Sequence, residues 1–78
     1  MWIHEHDRLY RKFVFPDFVR AFAFMTSVAL VAEKMDHHPE WKNVYHTVEI
    51  WLSTHESGNQ VTDKDRRLAA EIDKLAQG

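Results

Sequence analysis

Three histidines stand at positions where imidazole chemistry could be concentrated. The chain has six histidines among 78 residues, and His37 and His38 are adjacent and followed by Pro39, which restricts the backbone around them. His55 follows the segment that most resembles a β-strand. Imidazole is the side chain best suited to exchanging protons near neutral pH. Histidines that converge on one pocket would therefore suit a reaction that needs an acid at one atom and a base at another.

Polar and aromatic neighbours could complete such a site. Carboxylates lie close in sequence at Glu33, Asp36 and Glu56, where they could orient imidazole rings or hold a cationic one. Trp41 and Trp51 could supply a flat wall for a flat ligand.

The same residues have structural explanations. A His-His-Pro turn is often an exposed loop, His55 alone could be a surface residue at a strand end, and Asp65 is most simply a carboxylate that caps a helix. Zinc binding is a further alternative, since neutral imidazoles are good ligands. However, adjacent histidines rarely both reach one ion and the chain has no cysteine. Spacing alone leaves the catalytic and structural interpretations open, and no metal site is predicted.

The composition is typical of one small domain over residues 1–78. It is 45% hydrophobic and 28% charged, with a net charge of −2, and no stripe of basic residues suggests nucleic-acid binding. No membrane-spanning segment or secretory signal is visible, and the lack of cysteine excludes disulfides and thiolate chemistry. We expect a soluble, cytoplasmic protein that binds no nucleic acid directly and no membrane. Its core must be thin, so association would help it.

The first half of the chain predicts two strands and a long helix. Residue classes alternate through Leu9–Phe15, which predicts a strand, and a shorter strand begins near Trp2 and ends in a polar turn. Asp17 is a good helix N-cap, and the helix must end at about Met35–His37 because a proline follows His38. One apolar stripe is predicted to form the core face of this helix, with Phe18, Ala21, Phe22, Met25, Val28, Ala29 and Ala32.

The second half predicts a long strand and a final helix. Val44 to Thr54 alternates strictly, although a strand of this length leaves room for a bend or interruption. Thr62 to Asp65 resembles a capping box, and the helix that follows is expected to close at Gly78. Its apolar face comprises Leu68, Ile72 and Leu75. The order of elements, with room for a further strand, predicts an α+β fold with helices packed on one face of an antiparallel sheet.

The segments around the histidines resemble the pterin-4a-carbinolamine dehydratase family. The resemblance lies in the run from Glu33 to Trp41, then Asn43 to Tyr45, then Ser53 to Glu56. The family's pattern of fixed positions is filled by Glu33, His37, His38, Pro39, Tyr45, His55 and Asp65. The helix after Asp17 is also similar, and the resemblance runs from about Asp7 to the C-terminus. A pattern with this many fixed positions is specific.

The resemblance implies a fold, an activity and an assembly. Family members place helices on one face of an antiparallel sheet and form homodimers or homotetramers. The helix that usually precedes the first strand is expected to be lacking, since this chain starts almost at that strand. Members dehydrate 4a-hydroxytetrahydropterin (pterin-4a-carbinolamine) to quinonoid dihydropterin and water, which recycles the pterin cofactor of aromatic amino acid hydroxylases. They need no metal or organic cofactor.

The resemblance also implies roles for particular residues. His37 and His55 would form the acid/base pair, and His38 would bind the pterin and assist. The substrate site would be lined by Asp36, Ser53, Thr54 and Glu56, with Glu33 nearby. Trp41 is added to this predicted site for its flat ring, as argued above, and not from the resemblance. The rival interpretation is a non-catalytic dimerisation or transcriptional coactivator module of the same fold. All three histidines are present, which favours the enzyme.

Overall fold

The computed structural model of the chain describes residues 1–77. It contains one sheet, two α-helices and a short 3-10 helix, bounded as β1 Ile3–Glu5, β2 Arg8–Val14, α1 Phe18–Met35, β3 Glu40–Val44, β4 Thr47–Leu52, the 3-10 helix His55–Ser57 and α2 Asp63–Gln77. The strand order is β1-β2-β4-β3, and all three pairings are antiparallel. The predicted α+β class is confirmed. Gly78, predicted to close the last helix, lies outside the described residues.

Two-residue turns join β1 to β2 and β3 to β4. His6 and Asp7 link β1 to β2 with φ values of 53° and 60°, the left-handed geometry of a turn whose twist matches the strands beside it.

Asp17 caps α1 as predicted, because its side chain accepts a hydrogen bond from the backbone N–H of Arg20 at 2.8 Å. The helix then crosses the sheet and ends at Met35, within the predicted range.

The prediction that one long strand begins at Val44 is wrong. Val44 ends β3, Thr47 begins β4, and Tyr45 and His46 form the turn between them. The side-chain amide of Asn43 stabilises this turn by donating to the carbonyls of Tyr45 at 3.1 Å and Thr47 at 2.8 Å. The turn contains no glycine, and β3 is an edge strand with only partly buried side chains. The turn therefore lacks the residue that usually marks a hairpin, and β3 lacks the strong hydrophobic alternation that identifies a strand in sequence.

The core lies between the sheet and the two helices. The inner face of β4 was predicted correctly, and Leu68 and Ile72 of α2 are fully buried as expected. Burial of each such aliphatic side chain contributes about 1.5–3 kcal/mol relative to exposure. The buried apolar residues are Leu9, Phe13, Ala21, Phe24, Val28, Ala32, Val48, Ile50, Leu52, Leu68, Ala69 and Ile72.

The core stripe predicted for α1 is partly wrong. Phe18 and Phe22 are 46% and 55% exposed, Ala29 is exposed as well, and Phe24 is buried instead. The ring of Phe24 packs against those of Phe13 and Phe15, each with a centroid separation of 4.9 Å. Because α1 is apolar on two sides, its sequence does not decide which side faces the sheet. Despite these two apolar sides, no helix among residues 1–77 has the length and hydropathy needed to cross a bilayer.

The other face of the sheet carries polar and aromatic side chains. The rings of Tyr10 and Trp51 are 5.3 Å apart, and the Tyr10 hydroxyl donates to the Glu49 carboxylate at 2.7 Å. The pKa of Tyr10 is raised above its ordinary value. This hydrogen bond is the largest cause, and partial loss of hydration and the negative charge of Glu49 add to it.

Raising the pH from about 8 to about 11 crosses the ordinary tyrosine pKa. This change is expected to destabilise the native chain more than it destabilises the Tyr10→Phe variant. The pKa of Tyr10 is higher in the folded than in the unfolded chain. Its contribution to stability is therefore present below the unfolded pKa and lost as pH rises through the folded one. Urea denaturation at the two pH values measures the difference. Tyr45→Phe, at an exposed tyrosine, is the control, and an identical pH dependence in the native and Tyr10→Phe chains would contradict the prediction.

Candidate active site

The turn that ends α1 sets the direction of the adjacent histidines. Asp36 adopts the left-handed conformation with φ 53°, and its N–H bonds to the carbonyls of Ala32 and Glu33. The N–H of His37 also donates to Ala32, at 3.1 Å. These bonds satisfy carbonyls that the end of a helix would leave free. Aspartate tolerates this conformation better than most residues, and the chain turns sharply enough to bring His37 beside α2.

Asp65, in the first turn of α2, is a fully buried carboxylate with three donors. One oxygen accepts from Nε2 of His37 at 2.5 Å. The other accepts from the hydroxyl of Thr54 at 2.8 Å and from the backbone N–H of Thr62 at 2.9 Å. The predicted capping box is therefore present, since Asp65 reaches back to Thr62. The same carboxylate also holds the imidazole, which the capping interpretation did not include.

The contact with Asp65 favours one tautomer of His37. An ionised carboxylate can only accept, so Nε2 of His37 donates and carries the proton. In a neutral ring with this tautomer, Nδ1 has the free lone pair. It has no hydrogen-bond partner among residues 1–77 and is not sealed from solvent. A histidine held by a buried carboxylate at one nitrogen and free at the other is suited to act as an oriented general base.

The three histidines line one cleft of about 270 Å³. They differ in their surroundings. His37 is only 8% exposed, His38 is exposed and bonds through Nε2 to the Glu33 carboxylate at 2.8 Å, and His55 is exposed in the 3-10 helix. The cleft therefore combines one ring of fixed orientation with two accessible rings, which is an arrangement that can serve proton transfer at two atoms of a ligand.

Three of the six predicted substrate-binding residues line this cleft, and the other three do not. Asp36, Ser53 and Glu56 line it together with the histidines. Glu33 does not line it and is connected to it through the hydrogen bond to His38. Thr54 is 3% exposed, and its hydroxyl is used by Asp65. Trp41 is opposite Ile50 on the inner face of the sheet and packs against the core, away from the cleft.

Sequence reasoning missed Lys64, which also lines the cleft. Its ammonium group is 3.4 Å from the Glu56 carboxylate. In the sequence it is one lysine in the first turn of a polar helix, and only the docking of α2 beside the 3-10 helix brings it to the site. Across the described chain, no group of three or more histidine, aspartate or glutamate side chains is arranged to hold a metal ion.

Comparison with known proteins gives a consistent result. A family profile described as "Pterin 4 alpha carbinolamine dehydratase" matches residues 1–75. A protein of Paraburkholderia xenovorans (strain LB400) is 61% identical over 69 residues, which cover 88% of this chain and 71% of that protein. A protein of Jannaschia sp. (strain CCS1) is 53% identical over 75 residues, covering 96% of this chain and 76% of that protein. Both bear the provisional name pterin-4-alpha-carbinolamine dehydratase.

Solved structures share the fold. The crystal structure of a transcriptional coactivator/pterin dehydratase from Brucella melitensis has a TM-score of 0.88 and 43% identity, covering 97% of this chain and 80% of that one. A pterin dehydratase-like protein identified as a RuBisCO assembly factor in the alpha-carboxysome has a TM-score of 0.76, and covers 97% of this chain and 96% of that one. Its 24% identity supports a common fold alone.

Thr54→Val is expected to lower the free energy of unfolding by about 2 kcal/mol, because the buried Asp65 carboxylate loses a donor within an unchanged side-chain shape. Thr54→Ser keeps the hydroxyl and should lose about half as much, chiefly through the missing methyl group. Urea denaturation of the two variants and the native chain measures both values. A Val variant as stable as the native chain would show that this hydrogen bond contributes nothing.

Proposed function

The chain belongs to the pterin-4-alpha-carbinolamine dehydratase family, as its sequence resemblance predicted, and on this premise we propose that it dehydrates a 4a-hydroxytetrahydropterin to quinonoid dihydropterin and water. The reaction would recycle the pterin cofactor of aromatic amino acid hydroxylases. The observation that carries the proposal is the cleft shared by His37, His38 and His55, in which His37 is held by a buried carboxylate. The proposed chemistry uses these side chains and no cofactor.

The reaction requires two proton transfers at neighbouring atoms of the pterin. The bond between C4a and its hydroxyl oxygen breaks, and that oxygen leaves as water after it receives a proton. The proton on N5 is removed, and its electron pair forms the double bond between N5 and C4a. The base gains one proton and the acid loses one, so the net charge of the enzyme is unchanged after the reaction. Positioned acids and bases accelerate such steps by about 10²–10⁴-fold each.

His37 and His55 form the acid/base pair in this proposal. The lone pair on Nδ1 of His37 has a fixed direction because Asp65 holds Nε2, so we assign it the removal of the N5 proton. His55 is exposed at the same cleft, where it can donate to the leaving oxygen and exchange its proton with solvent. His38, held by Glu33, is assigned to binding the pterin beside them.

Carboxylates and a hydroxyl supply the remaining polar contacts of the proposed site. The pyrimidine part of a pterin presents N–H donors along one edge, and the carboxylates of Asp36 and Glu56 can accept from such donors. Ser53 can donate or accept. Thr54 is reassigned to positioning Asp65, because its hydroxyl already bonds to that carboxylate and little of its surface is exposed.

A homodimer or homotetramer is part of the proposal, as is a cytoplasmic location. The exposed apolar residues of α1 support association, and include Phe18, Val19, Phe22 and Leu30. The same surface would also serve the second candidate, a non-catalytic dimerisation or coactivator module. The Brucella protein is described as both a coactivator and a dehydratase. A direct assay of carbinolamine dehydration separates the two candidates.

His37→Ala and His55→Ala are each expected to lower kcat by about 10²–10⁴-fold, because each removes one proton-transfer group. Dehydration of a 4a-carbinolamine formed in situ can be followed by absorbance. His4→Ala, on exposed β1 outside the cleft, is the matched control. Because His37 also satisfies Asp65, its variant needs a denaturation curve, whereas exposed His55 gives a clean test. Native turnover in His55→Ala would refute the assignment of the pair.

Phe22→Asp is expected to reduce the mass of the assembly in solution, because it puts a charge on the exposed apolar side of α1. Light scattering after size exclusion measures this mass. Val14→Asp is the control, since Val14 is also exposed and apolar but belongs to β2. A native chain that is monomeric, or equal masses for native and Phe22→Asp chains, would contradict the prediction.

A further inference from the structure

A second, smaller cavity adjoins the cleft. It has a volume of about 180 Å³ and is lined by Met35, His37, Lys64 and Arg67. We call it the side cavity. His37 and Lys64 also line the cleft, so the two spaces meet at these side chains. A substituent of a ligand in the cleft would therefore have to pass only these side chains to reach the side cavity.

The side cavity is lined by two cations and by no carboxylate. Lys64 and Arg67 are three positions apart on α2 and so project from the same side of the helix. Arg67 has no carboxylate within ion-pair distance among residues 1–77. Glu71, one turn further along, is bonded to Lys74 at 3.2 Å. Lys64 already has an ion pair with Glu56 of the cleft at 3.4 Å. Among the described residues, Arg67 is therefore the cation of this cavity that lacks a carboxylate partner, and a bound anion would balance its charge.

The proposed reaction places the side chain of the pterin near the side cavity. A pterin carries its side chain on C6, the ring atom next to N5. His37, assigned to the N5 proton, is also a wall of the side cavity. A ring that presents N5 to His37 therefore begins its side chain beside the residue that separates the two spaces.

We propose that the side cavity binds an anionic group at the end of the substrate's side chain, and that a phosphate ester is the group it fits. This inference rests on the proposed function, since it places the pterin ring in the cleft. The guanidinium of Arg67 offers paired donors that match phosphate oxygens, and Lys64 adds a point charge. A phosphate monoester carries a charge of about −1.5 to −2 near pH 7 and has three acceptor oxygens, so it can accept from Arg67 and Lys64 together, whereas a carboxylate has two oxygens and a single charge. The preferred substrates are then pterins with phosphorylated side chains.

Binding of matched ligands tests this proposal. The native chain is titrated by calorimetry with three 7,8-dihydropterins that differ only at the side-chain terminus, which is a phosphate ester, a carboxylate or a hydroxyl. The phosphate ligand should bind about tenfold more tightly than the hydroxyl ligand, since hydrogen bonds to charged groups are the stronger ones. Arg67→Gln should abolish this preference. Arg66→Gln makes the same charge change one position away, at a residue that lines a different cavity, and should retain it.

Several outcomes would overturn the inference. These are equal affinity of the native chain for the phosphate and hydroxyl ligands, a preference that survives Arg67→Gln, and a carboxylate ligand that binds as tightly as the phosphate. Dehydration is measured separately with the phosphorylated and neutral carbinolamines. Turnover of the neutral substrate without a phosphate preference overturns the proposed phosphate binding in the side cavity and leaves the proposed function standing. Phosphate-dependent binding that requires Arg67, without turnover of either substrate, supports the side cavity and overturns the proposed function.

Discussion

The carboxylate of Asp65 has no surface exposed to solvent, and a buried carboxylate is tolerated only when donors surround it. Its three donors come from three different segments: the turn after α1 at His37, the chain just after β4 at Thr54, and the start of α2 at Thr62. The bonds that join these segments also orient the imidazole in the cleft. The direction of that ring is therefore determined by the packing of the fold, and a change that loosens the junction alters the ring together with the stability of the chain.

The features that the sequence predicted correctly are those that depend on local patterns. The capping box around Asp65, the inner face of β4 and the apolar face of α2 each follow from spacing within one element. The common cleft of His37, His38 and His55 was expected from a motif. Such a motif fixes residue types at several separated positions and so contains information about three-dimensional neighbours that no single periodicity carries.

The features that were missed depend on how elements dock against one another. α1 has two apolar sides, and only the position of the sheet makes Phe24 a core residue and leaves Phe22 exposed. Trp41 was expected at the cleft because its flat ring suits a flat ligand, but alternation along β3 directs it to the core. Lys64 reaches the cleft because α2 begins there. The edge strand β3 and its turn at Tyr45 lack the glycine and the hydrophobic alternation by which such elements are normally identified.

The left-handed backbone at Asp36 limits which amino acids can stand beside the two adjacent histidines. Glycine and asparagine adopt this conformation at little cost, whereas alanine or a β-branched residue is strained by about 1–2 kcal/mol. A saturation-mutagenesis survey at this position would thus rank substitutions first by backbone geometry and only then by charge. Asp36→Gly would isolate the contribution of the carboxylate, and an alanine scan would confuse it with a shift of both imidazoles.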